Sequence, residues 1–194
     1  MTYTVDEIYL DFDSDSAWDA YEALRNIPGA FPRAVSRALN RTLEFMRTES
    51  VDQTKKRYFV KAGDVRKTIT LKKSNSGNLF GAMVSRSPRR TLADYKITPR
   101  SPNLGKRKLM GAVKQEGGLK TLPQGTFLIS TPNTGVLPFI RVRKGKWGIQ
   151  KVMSPSIPQI VKNTETYWTV QRKAQNIFEK RLKHEVLSIL GAFK

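Results

Sequence analysis

Few residues in this chain are of types that could carry out catalysis, and they do not form a recognised catalytic pattern. His184 is the only histidine and lies among charged residues near the end of the chain, where a surface position is expected. The absence of cysteine excludes a thiolate nucleophile, a disulfide and a zinc–thiolate site. Asp11, Asp13 and Asp15 have the spacing of the start of a calcium-binding loop, but serine stands at position 16, where such a loop requires glycine.

Motifs that bind phosphate groups or activate a serine are also absent. The chain has neither a glycine-rich loop that ends in Lys-Ser or Lys-Thr nor a Gly-x-Ser-x-Gly turn. Asp94, Glu116 and Glu165 are the acids that a metal-dependent nuclease would use, and this activity is the minor alternative. The sequence therefore predicts a protein that is not an enzyme, with no metal site and no cofactor.

Positive charge is the strongest chemical signal in the composition. Lys and Arg number 35 against 16 Asp and Glu, so that the net charge is +19, well above what solubility requires. The charge is also unevenly placed, because residues 1–30 contain seven acids and one base and have a net charge of −6. This separation favours either a polyanionic partner or a contact in which the acidic end of one subunit meets the basic body of the next.

The densest group of basic residues is predicted to lie on a β-hairpin over residues 139–152, with its tip at 144–146. The basic residues of this hairpin, which are candidates for contact with DNA or with an acidic partner, are Arg141, Arg143, Lys144, Lys146 and Lys151. Alternating with Phe139 and Trp147, they could bind nucleic acid by charge and stacking. The alternative is that both aromatic rings face the core and the bases are solvated, a pattern that strand alternation produces by itself.

Two long amphipathic helices are predicted to support these elements. The first begins near Pro32, runs to about Tyr58 and follows a short helix over residues 17–24. The second is capped at Asn163 or Thr164 and keeps the helical spacing of apolar residues almost to the end of the chain. Each helix can therefore bury one apolar face.

A basic ridge is predicted on the first long helix. Arg33, Arg37 and Arg41 are spaced by four residues, so their side chains line up along the helix surface. They form either a solvated face or a phosphate-binding one, and the sequence leaves both interpretations open.

Short strands account for most of the remaining chain. The strands are predicted at residues 3–12, 69–71, 79–85, 91–97 and 127–131, with a helical turn at 63–67 and a basic turn at 87–90. Residues 154–158 contain two prolines and cannot sustain a regular strand. We predict an α+β fold in which a small antiparallel sheet packs with a long N-terminal and a long C-terminal helix, within a single domain over residues 1–194.

Residues 99–123 differ in composition and are predicted to form an extended basic arm or mobile loop. They are rich in Gly, Pro and Lys or Arg and have few large apolar residues, so they cannot form a core of their own. Only the part around Met110, Ala112 and Val113 leaves room for a strand. Long loops of this kind are usually functional. The candidate contacts of the arm with a neighbouring subunit are Arg100, Lys106, Arg107, Lys108, Lys114 and Lys120.

The order of these segments resembles the minor tail protein Z family of long-tailed bacteriophages. The matching pieces are AVSRALNRTLEFMRTES, KKRYFVKAGDVRKTITLKKS, TLADYKITP and GVLPFIRVRKGKWGIQKVMSPSIPQIVKN, followed by the closing helix. The most specific of them are the Phe-Ile-Arg-Val-Arg hairpin and the Ser-Pro-Ser-Ile-Pro-Gln exit from it. The resemblance covers most of the chain, and the acidic residues 1–15 match least.

The resemblance implies a structural protein of the virus particle, a tail-completion or neck component at the head-proximal end of the tail. Such a protein is expected to form a homo-oligomeric ring, most simply a hexamer that matches the sixfold symmetry of the tail. Its expected partners are the tail terminator, the tail tube and the head–tail connector proteins, with genomic DNA in the channel as a partner bound without sequence specificity. The expected location is the virion, after assembly in the host cytoplasm.

A protein of another class would share the same charge. It is a free nucleic-acid-binding protein, which would act in the cytoplasm and would not be found in purified particles.

No apolar run approaches the ~18 to 20 residues that a membrane span needs, so no contact with a membrane is expected. The acidic N-terminal residues also lack the pattern of a signal peptide, and we expect synthesis in the cytosol.

Overall fold

Helices and short antiparallel strands make up the parts of the chain that the computed structural model describes, which are residues 3–9, 14–102, 108–142 and 148–192. The helices are α1 (Ser14–Leu24), α2 (Ala30–Arg57), α3 (Ala62–Thr68), α4 (Ile157–Val161) and α5 (Thr164–Ala192). The predicted α+β class and both predicted long helices are confirmed. Helix α4 lies between the hairpin and α5, at the Ser-Pro-Ser-Ile-Pro-Gln segment that was expected to lead directly into the last helix.

Helices α2 and α5 are packed side by side along most of their lengths. Helix α2 has 28 residues and is therefore about 42 Å long. Ion pairs join the two helices at three levels, and they are Arg57–Glu165, Glu49–Lys173 and Arg37–Glu185. Because residue numbers rise along α2 where they fall along α5, the helices are antiparallel. Partly exposed ion pairs contribute little to stability, so the buried apolar faces provide most of the attraction.

The strands of the described residues form four small antiparallel sheets rather than one. The strands are β1 (Tyr3–Tyr9), β2 (Ile69–Lys72), β3 (Ala82–Pro88), β4 (Arg90–Thr91), β5 (Lys96–Thr98), β6 (Met110–Ala112), β7 (Lys120–Thr121), β8 (Thr126–Thr131), β9 (Gly135–Arg141), β10 (Ile149–Lys151) and β11 (Met153–Ser154). The sheet orders are β1-β3-β2, β10-β9-β8, β5-β6-β7 and β11-β4. The predicted basic hairpin is formed by β9 and β10, with Arg141 opposite Ile149.

Three groups of buried apolar residues hold the described elements together. The first lies between α2, α4, α5 and the β1-β3-β2 sheet and includes Leu43 and Met83. The second joins α1 to the α2–α5 pair and centres on Phe178. The third is smaller and connects β5, the residue before β6, and β8 through Ile97, Leu109 and Leu128. The small sheets are thus attached to the helical pair by separate patches of apolar burial.

The segment predicted to be an arm is ordered over its described part. Strands β6 and β7 add to β5 in one sheet, and Leu109 is buried in the third apolar group. Gly111 fits there because a Cβ at this position would lie 2.8 Å from the Leu92 Cδ2 atom. These residues are thus ordered by contact with β5 and with the 3-10 turn at Leu92–Asp94, both of which lie outside the segment, and not by a core of their own. Contact of the segment with a neighbouring subunit stays a prediction.

Two strand predictions are also corrected. The strand expected over residues 91–97 is interrupted by a 3-10 turn at Leu92–Asp94. Its cause is a capping box, in which the Thr91 hydroxyl accepts from the Asp94 backbone N–H and the Asp94 carboxylate accepts from the Thr91 backbone N–H at 2.9 Å. The Thr91 hydroxyl also donates to this carboxylate, at 3.0 Å. The strand expected to begin at residue 79 begins at Ala82, and Leu79 and Phe80 are exposed before it. The outer end of the strand predicted at residues 3–12 lies outside the described residues.

Candidate binding surface

The basic hairpin presents charge beside aromatic rings. Phe127 on β8 lies opposite Phe139 on β9, with ring centroids 6.4 Å apart and nearly parallel planes. The Arg141 guanidinium lies 5.4 Å from the Phe127 ring centroid, within the range of a cation–π contact. Lys151 on β10 lies opposite Phe139, so it shares this face of the sheet. Arg143, Lys144, Lys146 and Trp147 lie outside the described residues.

The basic ridge of α2 is exposed but partly occupied by acids of the same chain. Arg37 pairs with Glu185 of α5 at 3.5 Å, and Arg41 pairs with Glu44 at 3.6 Å. Arg33 is exposed at the start of the ridge. A role of these arginines in binding phosphate groups stays a prediction.

The lysines and arginines of the segment 99–123 do not lie together in the fold. Lys108 is exposed next to buried Leu109, and Lys120 is exposed on β7. Lys114 forms an isolated antiparallel β-bridge, through its backbone, with Tyr58 just after α2 ends. Arg100 lines a cleft beside the end of α2. Lys106 and Arg107 lie outside the described residues.

The end of α2 is fixed in place by this segment. The Gln115 backbone N–H donates to the Arg57 carbonyl at 2.8 Å, and the Gln115 side-chain amide donates to the Lys55 carbonyl at 2.6 Å. The last carbonyls of a helix lack partners within the helix, so Gln115 satisfies groups that would otherwise need water. The Phe59 N–H donates to the Val113 carbonyl at 2.9 Å and extends the contact.

A cleft lies at this end of α2, and a second cleft adjoins it. The first has a volume of ≈ 620 Å³ and the second ≈ 510 Å³, and both are lined by Asp64 and Asp94. We call their basic side chains the cleft bases, and they are Lys55, Lys61, Lys96 and Arg100 in the first cleft and Lys67, Arg86, Arg89 and Arg90 in the second. Eight bases therefore face two carboxylates.

Both carboxylates already have partners inside the protein. Asp64 pairs with Arg90 at 3.5 Å, and the Asp94 carboxylate accepts hydrogen bonds from the Thr91 backbone N–H and hydroxyl. Lys96 places its Nζ atom 4.6 Å from the Phe59 ring centroid. The clefts thus present an excess of positive charge over a partly aromatic wall, which suits an anionic partner.

A match to a family model agrees with this architecture. The model of prophage minor tail protein Z matches residues 17–193. The chain belongs to the prophage minor tail protein Z family. The match includes both long helices, the hairpin and the cleft bases, and it begins after the acidic residues 1–15, as the resemblance described above predicts. A structural role in a phage tail follows from membership of this family. No curated protein and no solved structure matches the chain significantly.

Groups that could bind a metal ion do not converge in the described parts of this minor tail protein. Among the described residues, no group of three or more His, Asp or Glu side chains could hold a metal ion. The acids Asp94, Glu116 and Glu165 therefore do not form a metal-binding group. His184 is exposed on α5. None of the described helices is both long enough and apolar enough to cross a membrane.

Most of the cleft bases were not singled out as site residues by the sequence. The missed residues are Lys55, Lys61, Lys67, Arg86, Arg89, Arg90 and Lys96, although Arg89 and Arg90 were placed in a basic turn. A signal was present, because runs of two or three basic residues lie at or next to the ends of helices and strands, as at 55–57, 66–67 and 89–90. Such doublets are common on surfaces, so their meaning depends on which of them the fold brings together.

Tyr95 forms the floor of the first cleft and should make stability depend on pH. Its side chain is only 4% exposed, and its hydroxyl donates to the Pro155 carbonyl at 2.7 Å. Burial raises the pKa of Tyr95 to about 12, from 10.0. The folded state therefore keeps the proton where the unfolded state loses it, and the resulting stability is present below pH 10 and lost as the pH rises through 12.

We expect Tyr95→Phe to remove this dependence. The free energy of unfolding of the native protein should fall by roughly 2 to 3 kcal/mol between these pH values because of Tyr95. The free energy of unfolding of the variant should be about 1 kcal/mol lower at neutral pH and should fall correspondingly less as the pH rises. Urea unfolding at neutral pH and across the alkaline range measures the difference. Tyr21→Phe, at an exposed position, is the control. Equal alkaline losses in the native protein and Tyr95→Phe would show that Tyr95 is not responsible.

Proposed function

We propose that this minor tail protein is a tail-completion component that forms a ring at the head-proximal end of the tail. The observation that carries the proposal is the family match over residues 17–193. In this proposal the ring is a hexamer, and it contacts the tail terminator, the tail tube and the head–tail connector. Genomic DNA passes through its channel, and assembly takes place in the host cytoplasm before the protein becomes part of the virion.

The physical properties of the chain support a structural role of this kind. A ring needs a stiff body and a surface that meets the next subunit, and a contact between two different surfaces closes into a ring when its rotation allows. The antiparallel α2–α5 pair provides such a body. In the proposal, residues 1–194 act as one domain without enzymatic activity, and residues 99–123 contact the adjacent subunit.

The proposal is tested by an inventory of purified phage particles. Mass spectrometry with labelled standards should find this protein in a small fixed copy number per particle that fits a ring of six or twelve subunits. Particles made without it should contain complete heads and tails that fail to form infectious virions. A copy number that fits neither ring, or normal infectivity without the protein, would refute the proposal.

A free nucleic-acid-binding protein is the second candidate. It is favoured by the net charge of +19 and by the placement of Arg141 beside Phe127, which resembles a stacking and phosphate-binding surface. This candidate predicts that the protein remains in the soluble fraction of infected cells and is absent from particles. The same inventory therefore separates the two functions.

A further inference from the structure

The cleft bases outnumber the carboxylates of the two clefts by eight to two, and the proposed ring does not account for them. They come from α2, α3, β3, β4 and β5, which the fold brings to one end of the helix pair. Lys61, Lys67, Arg89 and Arg100 are all exposed, so a partner can reach them. A surface with this charge attracts an anionic partner and speeds its association.

The acids on β1 of this chain are not available to fill the clefts. Lys162 donates to Asp6 at 3.1 Å, and Lys72 donates to Glu7 at 2.8 Å. The hydrogen bond from Lys72 lowers the pKa of Glu7, so this carboxylate stays charged and paired. Strand β1 is in addition paired with β3 over its full length. A second copy could offer Asp6 and Glu7 only by giving up the same contacts, so the pairing of these two acids favours a different protein as the partner.

The position of the two carboxylates favours a protein segment over DNA. Asp64 and Asp94 line both clefts and therefore lie where the clefts adjoin. A phosphodiester chain carries a negative charge at every nucleotide and cannot avoid them. A protein segment can place its carboxylates opposite the cleft bases and an uncharged residue opposite Asp64 and Asp94.

The edge of a sheet borders the first cleft as well. Strand β5, which contributes Lys96, pairs with β6 and is at the edge in the sheet order β5-β6-β7. An edge strand can accept an additional extended strand through its backbone groups. The first cleft thus combines basic side chains that can pair with carboxylates and an edge strand that can pair with the backbone of an extended segment.

We propose that the two clefts bind an extended acidic segment of a different tail protein. The inference rests on the proposed function, because it takes the neighbours of this protein in the particle as the source of the segment. The segment would run along β5 and place its Asp or Glu side chains against the bases of both clefts. It would therefore join the end of the α2–α5 pair to the next component of the tail.

A binding measurement with defined probes tests this directly. The probes are a short fluorescent peptide in which glutamate alternates with serine, and a fluorescent DNA duplex of equal net charge. Fluorescence anisotropy should show that the purified full-length protein binds the peptide more tightly than the duplex. The variant Lys61→Glu, Lys67→Glu, Arg89→Glu should weaken peptide binding by at least about tenfold.

The control variant carries the same change of charge elsewhere. Arg172→Glu, Lys180→Glu, Arg181→Glu alters three exposed bases of α5 and should bind the peptide like the native protein. Circular dichroism should show that both variants are folded. Equal weakening in the two variants, failure of the native protein to bind the peptide, or tighter binding of the duplex that depends on the cleft bases would overturn the inference.

Cross-linking inside assembled particles identifies the partner. A photoreactive amino acid placed at Arg100 should cross-link to an acidic segment of a different tail protein, which mass spectrometry can assign. A cross-link to DNA or to a second copy of this chain would refute the inference. Absence of the protein from particles would refute the proposed function, whereas its presence there without peptide binding would refute only the inference about the clefts.

Discussion

Replacing Phe178 with alanine is expected to lower the free energy of unfolding by about 3 to 5 kcal/mol. Phe178 is 0% exposed and lies at the centre of the apolar group that joins α1 to the α2–α5 pair. The substitution removes buried apolar surface and leaves a cavity that rigid helices cannot close. Small domains are stable by roughly 5 to 15 kcal/mol, so a loss of this size should be obvious in urea unfolding.

A matched control lies on the same helix. Leu187 is 61% exposed, so Leu187→Ala should change the free energy of unfolding by no more than about 0.5 kcal/mol. Phe178→Leu, which keeps most of the apolar volume, should fall between the two. If Phe178→Ala were no more harmful than Leu187→Ala, the packing of α1 against α2 and α5 would have to be different.

Reversal of charge on the basic hairpin is expected to reduce the number of infectious particles by at least about a hundredfold. The change replaces Arg141, Arg143, Lys144, Lys146 and Lys151 with glutamate. We expect the hairpin to meet an acidic partner protein, because strong binding to phosphates would hinder the passage of DNA. Like charges would then oppose each other at the contact, and heads and tails should accumulate separately in electron micrographs.

The α5 variant with three reversed charges is again the control, and it should give nearly normal titres.

Contact of the hairpin with DNA, instead of with an acidic protein, would give a different result. If its bases face DNA, heads and tails should join normally and the defect should appear only in DNA ejection. The affinity of the purified native protein for DNA should then fall with salt, with a log–log slope of roughly −0.9 for each phosphate neutralised.

Local patterns in the sequence determined the helices and the hairpin. The apolar spacing of α2 runs from Ala34 to Met46 and that of α5 from Tyr167 almost to the end of the chain, which is enough to define a helix and its buried face without knowledge of the rest of the fold. The alternation around Phe139 likewise predicted the strand that pairs with β10. These features depend on neighbours in the chain, so the sequence alone was sufficient for them.

The strands within residues 99–123 could not be predicted with the same certainty. Strands β6 and β7 have three and two residues, and Gly111 contributes no apolar side chain. They are stabilised by pairing with β5 and by contact of Leu109 with the third apolar group. Their composition indicated a loop because the groups that order them lie elsewhere in the chain.

The amino-acid sequence by itself determined the charge of this minor tail protein, its two long helices and its family. Tertiary structure decided which of the 35 basic residues act together. Lys55 and Arg100 are far apart in sequence, and they line one cleft because Gln115 fastens residues 113–115 to the end of α2. Local periodicity records which side of an element is buried, whereas the meeting of two element ends depends on long-range packing that no local pattern contains.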